Sequence, residues 1–203
     1  PDINKSGADF AVEDGNIRYA LGAIKGVGAA NMQAIEDERR AHGPYKDLSD
    51  FIHRTDIKQI NRRQMEQLAK AGAFDCLDKN RGKIFANIET IMQHIAAASE
   101  LKTSSQASLF GTEELHTTVK LADKPDWPEL EKLKLEAEAI GFYLSAHPLD
   151  SYARGMERLG VKTAVEVFHN IKVGDTIRAK LAGCVNSVQK RICLLYTSPS
   201  PRD

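Results

Sequence analysis

The stretch that most restricts what this chain can become is Ala23 to Ile35, AIKGVGAANMQAI, where two glycines stand one residue apart between apolar neighbours. Gly26 and Gly28, flanked by Ile24 and Val27, predict a tight hairpin between a short first helix, Leu21 to Ile24, and a second running from about Ala29 to Arg40. Glycine adopts positive φ without strain and has no side chain to hold a phosphate away. A hairpin that opens directly into a helix aims backbone N–H groups outward, and the helix dipole adds partial positive charge. The pattern has two readings: a sharp structural turn, or an anion site of the helix-hairpin-helix kind that grips nucleic-acid phosphates without reading bases. In the second reading the contacts come from Lys25, Gly26, Val27, Gly28 and Ala29.

The 203 residues are formally neutral, with 28 basic and 28 acidic side chains, so a nucleic-acid surface must be local or completed by other sequence. No apolar run reaches the roughly 18 residues of a membrane span and there is no signal-peptide core, so no membrane partner is expected and a cytoplasmic location is. Cys76, Cys184 and Cys193 form no C-x-x-C pair and read as reduced thiols. The histidines lack ligand spacing, so no metal or cofactor is expected within the chain. The opening PDIN reads as mid-sequence, and Cys193 to Asp203 (residues 193–203) breaks from what precedes it and reads as translated sequencing adaptor.

The expected class is mainly α. Residues 1–20 should carry a β-hairpin, Phe10 to Tyr19 about Asp14-Gly15. Residues 21–101 should hold the hairpin motif and a degenerate second unit: Leu48 to His53, N-capped by Asp47, then a helix N-capped by Asn61 with Met65, Leu68 and Ala69 in register and Gly72 as its stop. Lys58, Arg62 and Arg63 cluster where that helix begins, either to hold a second phosphate or simply solvated. Glu36 to Arg40 are expected as a solvated helix end, and Arg81 to Leu101 as one long helix. Residues 102–128 read as a mostly extended linker containing QASLF. There Leu109 and Phe110 are two apolar anchors and Gln106 an orienting amide, the form of a docking peptide or of a pin onto the chain's own domain. Residues 129–170 predict a helical connector: Glu129 to Ile140 stopped by Gly141, Leu149 to Leu159, and Ala164 to His169. In residues 171–192, Thr176 to Val188 should form the first strand of a truncated small barrel.

In this order PDIN, IRYALGAIKGVG, NRRQMEQLAKAGAFD, QASLF, and GFYLSAHPLDSY leading into VGDTIRAKLAGCV are similar to the α-subunit family of bacterial DNA polymerase III, the C-family replicative polymerases. The resemblance implies the end of the fingers, a tandem helix-hairpin-helix that holds duplex DNA non-specifically, an internal sliding-clamp peptide and the start of an OB fold. By residue, it places the hairpin glycines at Gly26 and Gly28 and the clamp peptide at Gln106, Leu109 and Phe110. For the whole protein it implies a DNA-directed DNA polymerase of DNA replication, a nucleotidyltransferase using Mg2+, with the sliding clamp and other replicase holoenzyme subunits as partners. The family's polymerase carboxylates are expected N-terminal to this fragment, which should then carry no catalytic residue. Two readings from other classes stand beside it. A helix-hairpin-helix DNA glycosylase would use Asp47 or Asp50, which follow the hairpin where such enzymes carry a catalytic Asp; a protein-binding adaptor would bind no DNA.

Overall fold

The computed structural model describes residues 1–103, 119–169, 171, 174, 176–185 and 188–189. They divide into two compact units, Pro1–His147 and Pro148–Asp203.

The first unit begins with a two-stranded ribbon, β1 (Ala11–Glu13) and β2 (Asn16–Arg18), antiparallel with Val12 opposite Ile17. Asp14 and Gly15 at its tip have φ of 51° and 75°, the left-handed pair that a two-residue hairpin demands. Helix α1 (Ala29–His42) buries Met32 and Ile35. It also buries Glu36, which is only 8% exposed. Of the charged end expected as a solvated face, Asp37 and Arg40 are exposed, but Glu36 is drawn inward. Glu36 accepts the Ala8 N–H at 2.8 Å, and the Arg39 guanidinium donates to the carbonyls of Ile3 and Ser6 at 2.7 and 2.9 Å. These charges fasten the N-terminal segment onto α1, and their partners lie too far away in sequence for a local pattern to show them.

Helices α2 (Leu48–Arg54) and α3 (Arg62–Lys70) start at the expected caps. Asp47 accepts the Asp50 N–H, while Asn61 and Gln64 form a reciprocal capping box. The single helix expected over Arg81 to Leu101 is instead two, α4 (Arg81–Ala86) and α5 (Ile88–Thr103). The break is at Asn87, whose side-chain amide donates to the carbonyls of Lys83 and Ala122 and whose oxygen accepts the Ala122 N–H. A short polar side chain that finds backbone partners competes with the helix ladder. Residues 119–128 form no regular element and are strapped to the helices. The Val119 N–H donates to the Ser49 hydroxyl, Asn80 donates to the Lys124 carbonyl, Asp126 accepts the Gly82 N–H, and Trp127 packs on Phe85 with ring centroids 5.3 Å apart. Helix α6 (Glu129–Ile140) has its expected bounds, ends at Gly141 with φ 113°, and packs on α3. Between these elements lies one core that includes Leu21, Ile24, Val27, Met32, Phe51, Met65, Leu68, Phe74, Ile91 and Ile140.

In the second unit a short 3-10 turn (Asp150–Tyr152) runs into α7 (Ala153–Arg158), so Leu149 to Leu159 is not one regular helix. Helix α8 (Ala164–His169) follows, opened by a reciprocal Thr163–Glu166 capping pair. The strand expected over Thr176 to Val188 is not formed by its described residues, where Lys180 makes an isolated parallel bridge to Val161. A strand needs neighbours on which to lay its apolar face, and Leu181, Val185 and Val188 remain exposed. Among the described residues no helix is long and apolar enough to cross a membrane.

Candidate nucleic-acid interface

The first helix expected in the hairpin, Leu21 to Ile24, is not helical. It is a pair of consecutive turns in which the Ile24 N–H donates to Leu21 and the Val27 N–H to Ile24, at 3.2 and 3.1 Å. Four residues are too few to repay helix nucleation. Tertiary contact fixes them instead: Leu21, Ile24 and Val27 are each no more than 1% exposed. The apolar positions thus pin the loop to the core, while Gly26 and Gly28 take φ of 76° and 82° and face outward. A methyl group built on Gly28 meets open space, so glycine is required there by the backbone conformation alone. Gly28 is also the residue from which α1 starts, and it supplies no side-chain cap.

Three bonds hold this loop from behind. The Gln64 side-chain N–H donates to the Val27 carbonyl between the two glycines. Gln64 is 5% exposed and belongs to the capping box of α3, so it ties the start of α3 to the loop that leads into α1. The Lys25 N–H donates to the Ala139 carbonyl at 2.9 Å, and the Lys25 ammonium to the Glu138 carbonyl at 3.1 Å, which places a cation at the C-terminal end of α6.

The basic cluster separates into three environments. Arg62 pairs with Glu66 at 3.0 Å and with Glu89 at 2.8 Å. Arg63 lies over the hairpin: a methyl built on Gly26 would be 3.4 Å from its Nε and 3.8 Å from its Cζ. Lys58 sits exposed in the turn between α2 and α3, where its N–H donates to Asp56. Asn61 is engaged as the cap of α3. Around one loop, then, the fold gathers Lys25, Gly26, Val27, Gly28, Ala29 and Arg63, with Asn61 reaching it through Gln64. Gln106, Leu109 and Phe110 lie outside the described residues. Gln64 is the position at this loop that the sequence reading did not single out. The N-x-x-Q spacing from Asn61 signals its capping role, whereas its bond to Val27 has no local signal.

Behind the loop a buried charge network joins α4, α6 and the segment after Gly141. Arg81 forms a two-pronged pair with Asp75 and contacts Glu136 at 3.1 Å. Glu136, 1% exposed, also accepts the N–H groups of Leu144 and Ser145 at 2.9 and 2.7 Å and the Ser145 hydroxyl. Burial alone would raise the Glu136 carboxyl, but the Ser145 and Leu144 donors together with Arg81 outweigh it and hold the group below the ordinary carboxylate value. Among the described residues no group of His, Cys, Asp and Glu side chains is placed to hold a metal ion.

A family model described as a helix-hairpin-helix motif matches residues 1–84. The DNA polymerase III subunit alpha of Caulobacter vibrioides is 36% identical over 94% of this chain, that of Chlamydia pneumoniae 37% over 98%, and that of Neisseria meningitidis serogroup A 39% over 93%. The chain spans only 16–17% of the length of these relatives. Over the portion it spans, the chain belongs to the DNA polymerase III subunit alpha family, and its helix-hairpin-helix motif includes the Gly26–Gly28 loop.

Proposed function

We propose that this chain is the part of a replicative DNA-directed DNA polymerase that holds duplex DNA by its backbone, independently of sequence. The carrying observation is the outward loop from Lys25 to Ala29, with both glycines at positive φ and α1 starting directly from it without a side-chain cap. Around the start of α3, exposed Lys58 and Arg63 supply basic side chains, Arg63 directly against that loop, with Asn61 as the cap of the helix. If roughly two to four phosphates are neutralised, log K for short random-sequence duplexes should fall against log salt with a slope of about −2 to −4. The full chain carrying Gly26→Val together with Gly28→Val should lose that binding while keeping its circular dichroism. A flat salt profile, or unchanged binding by the folded double variant, overturns the reading.

The polymerase's nucleotidyl transfer, and any contacts with other replicase holoenzyme subunits, belong in this reading to the whole protein in the cytoplasm. The Mg2+ expected of that enzyme belongs in this reading to the whole protein. Against the glycosylase alternative, its two candidates serve local structure: Asp47 caps α2, and Asp50 accepts the Lys46 N–H and pairs with Arg54. A protein-binding adaptor predicts no salt-dependent duplex binding, so the same titration decides against or for it.

Family membership also supports Gln106, Leu109 and Phe110 as a docking peptide for the sliding clamp, and residues 171–192 as the start of an OB fold. Burial of Leu109 and Phe110 contributes about 1.5–3 kcal/mol each, against an ordering cost of about 1–2 kcal/mol per residue. A Gln106-to-Phe110 peptide should therefore compete weakly for a bacterial clamp pocket. The competition should disappear when both anchors are changed to alanine, and equal competition by the two peptides counts against docking.

A further inference from the structure

We propose that Arg63, reaching from the start of α3, completes the phosphate contact of the Gly26–Gly28 hairpin, and that the neighbouring Arg62 is a structural ion pair outside that contact. This rests on the duplex-holding reading above and assigns its charged group.

The two arginines are adjacent in sequence and equally basic, but the fold separates them. The Arg62 side chain is shared between two carboxylates, Glu66 and Glu89, which already balance its charge. The Arg63 guanidinium has no hydrogen-bond or ion-pair partner among the described residues. It lies over Gly26, where a methyl built on that residue would come into van der Waals contact with it. Its backbone is anchored beside the loop, because the next residue, Gln64, is locked both into the capping box of α3 and onto the Val27 carbonyl. A planar guanidinium that presents parallel N–H donors matches a phosphate's oxygens two at a time. The outward glycine loop and Arg63 thus face one locality. The loop and α3 then converge on a single phosphate, instead of each arginine at the start of α3 serving a second, separate one.

The test is a salt titration of a fluorescent random-sequence duplex with the full chain and three variants, Arg63→Gln, Arg63→Lys and Arg62→Gln. Each phosphate contact contributes about 0.9 to the slope of log K against log salt, or about an eightfold change in affinity between 1 M and 0.1 M salt. Arg63→Gln should flatten the slope by about that amount, Arg63→Lys should keep it, and Arg62→Gln should run parallel to the parent. The proposal is overturned if Arg63→Gln runs parallel to the parent, or if Arg62→Gln flattens the slope as much as Arg63→Gln. Absence of salt-dependent binding by the unsubstituted chain removes the duplex-holding reading itself, which separates that failure from a wrong choice of arginine.

Discussion

Arg81→Met is expected to destabilise the Pro1–His147 unit by about 3–5 kcal/mol, because it removes one partner from a buried ion pair. Methionine keeps much of the volume, so the loss reports charge. Without the guanidinium, Asp75 loses its two-pronged partner and Glu136, 1% exposed, keeps only the Ser145 and Leu144 donors. Gly72 has been shaped around this group: its φ is +75°, and a methyl built there would collide with the guanidinium. Trp127 is the chain's single tryptophan and packs on Phe85 near α4, so urea unfolding followed by its fluorescence reads the unit directly. A midpoint within error of the parent would show that the network contributes nothing to stability.

The same network sets an acid limit. The folded-state pKa of Glu136 is depressed, so in the window between folded and unfolded values the unfolded chain binds more protons. The stabilisation is complete above the ordinary glutamate value of about 4.5 and is lost as pH falls through the lower folded value. Arg81→Met removes one of the groups that depress it, so the variant's acid unfolding should begin at higher pH than the parent's. An unshifted acid transition would place the limit elsewhere.

Phe51→Ala is the second large effect, about 3–5 kcal/mol for an aromatic truncated in a packed core. Phe51 is fully buried, with edge-on contacts to Tyr45 at 5.1 Å and Phe74 at 5.2 Å. Tyr45 carries the load onward: Arg54 lies 4.4 Å over its ring, and its hydroxyl donates to the Ile35 carbonyl. Burial pushes the Tyr45 phenol up to about 12, so that donor persists across the neutral range. The cavity would therefore loosen α1 and α2 together, and equilibrium unfolding should show it, with Phe51→Leu losing clearly less. Equal stability of Phe51→Ala and the parent would mean that the site collapses without loss.

What could be read from the sequence was what neighbours in the chain decide. Asp14-Gly15 dictates its turn, Asn61 with Gln64 its cap, and Gly141 the end of α6. What could not be read depended on partners far along the chain. Leu21 to Ile24 has helical composition but is held as turns by burial. Asn87 breaks a long periodic stretch because Ala122 offers it two backbone bonds, and Glu36 leaves the solvent because Ala8 offers it an N–H. The Thr176 to Val188 stretch has the composition of a strand, yet alternation specifies only that a face wants covering. At the candidate site the glycines and the basic cluster were legible, but the difference between Arg62 and Arg63 was not. Glu89, on another helix, makes half of it.

The bonds to Val27 and Lys25 have a thermodynamic consequence for whatever anion meets the loop. A free glycine-rich turn would surrender about 1–2 kcal/mol of backbone entropy per residue on being fixed. This one is already immobilised by the Gln64 side chain and by α6, within a folded core. Ligand association at Gly26 and Gly28 then draws on displaced counterions with little ordering to offset it, which is the character of a preorganised receptor.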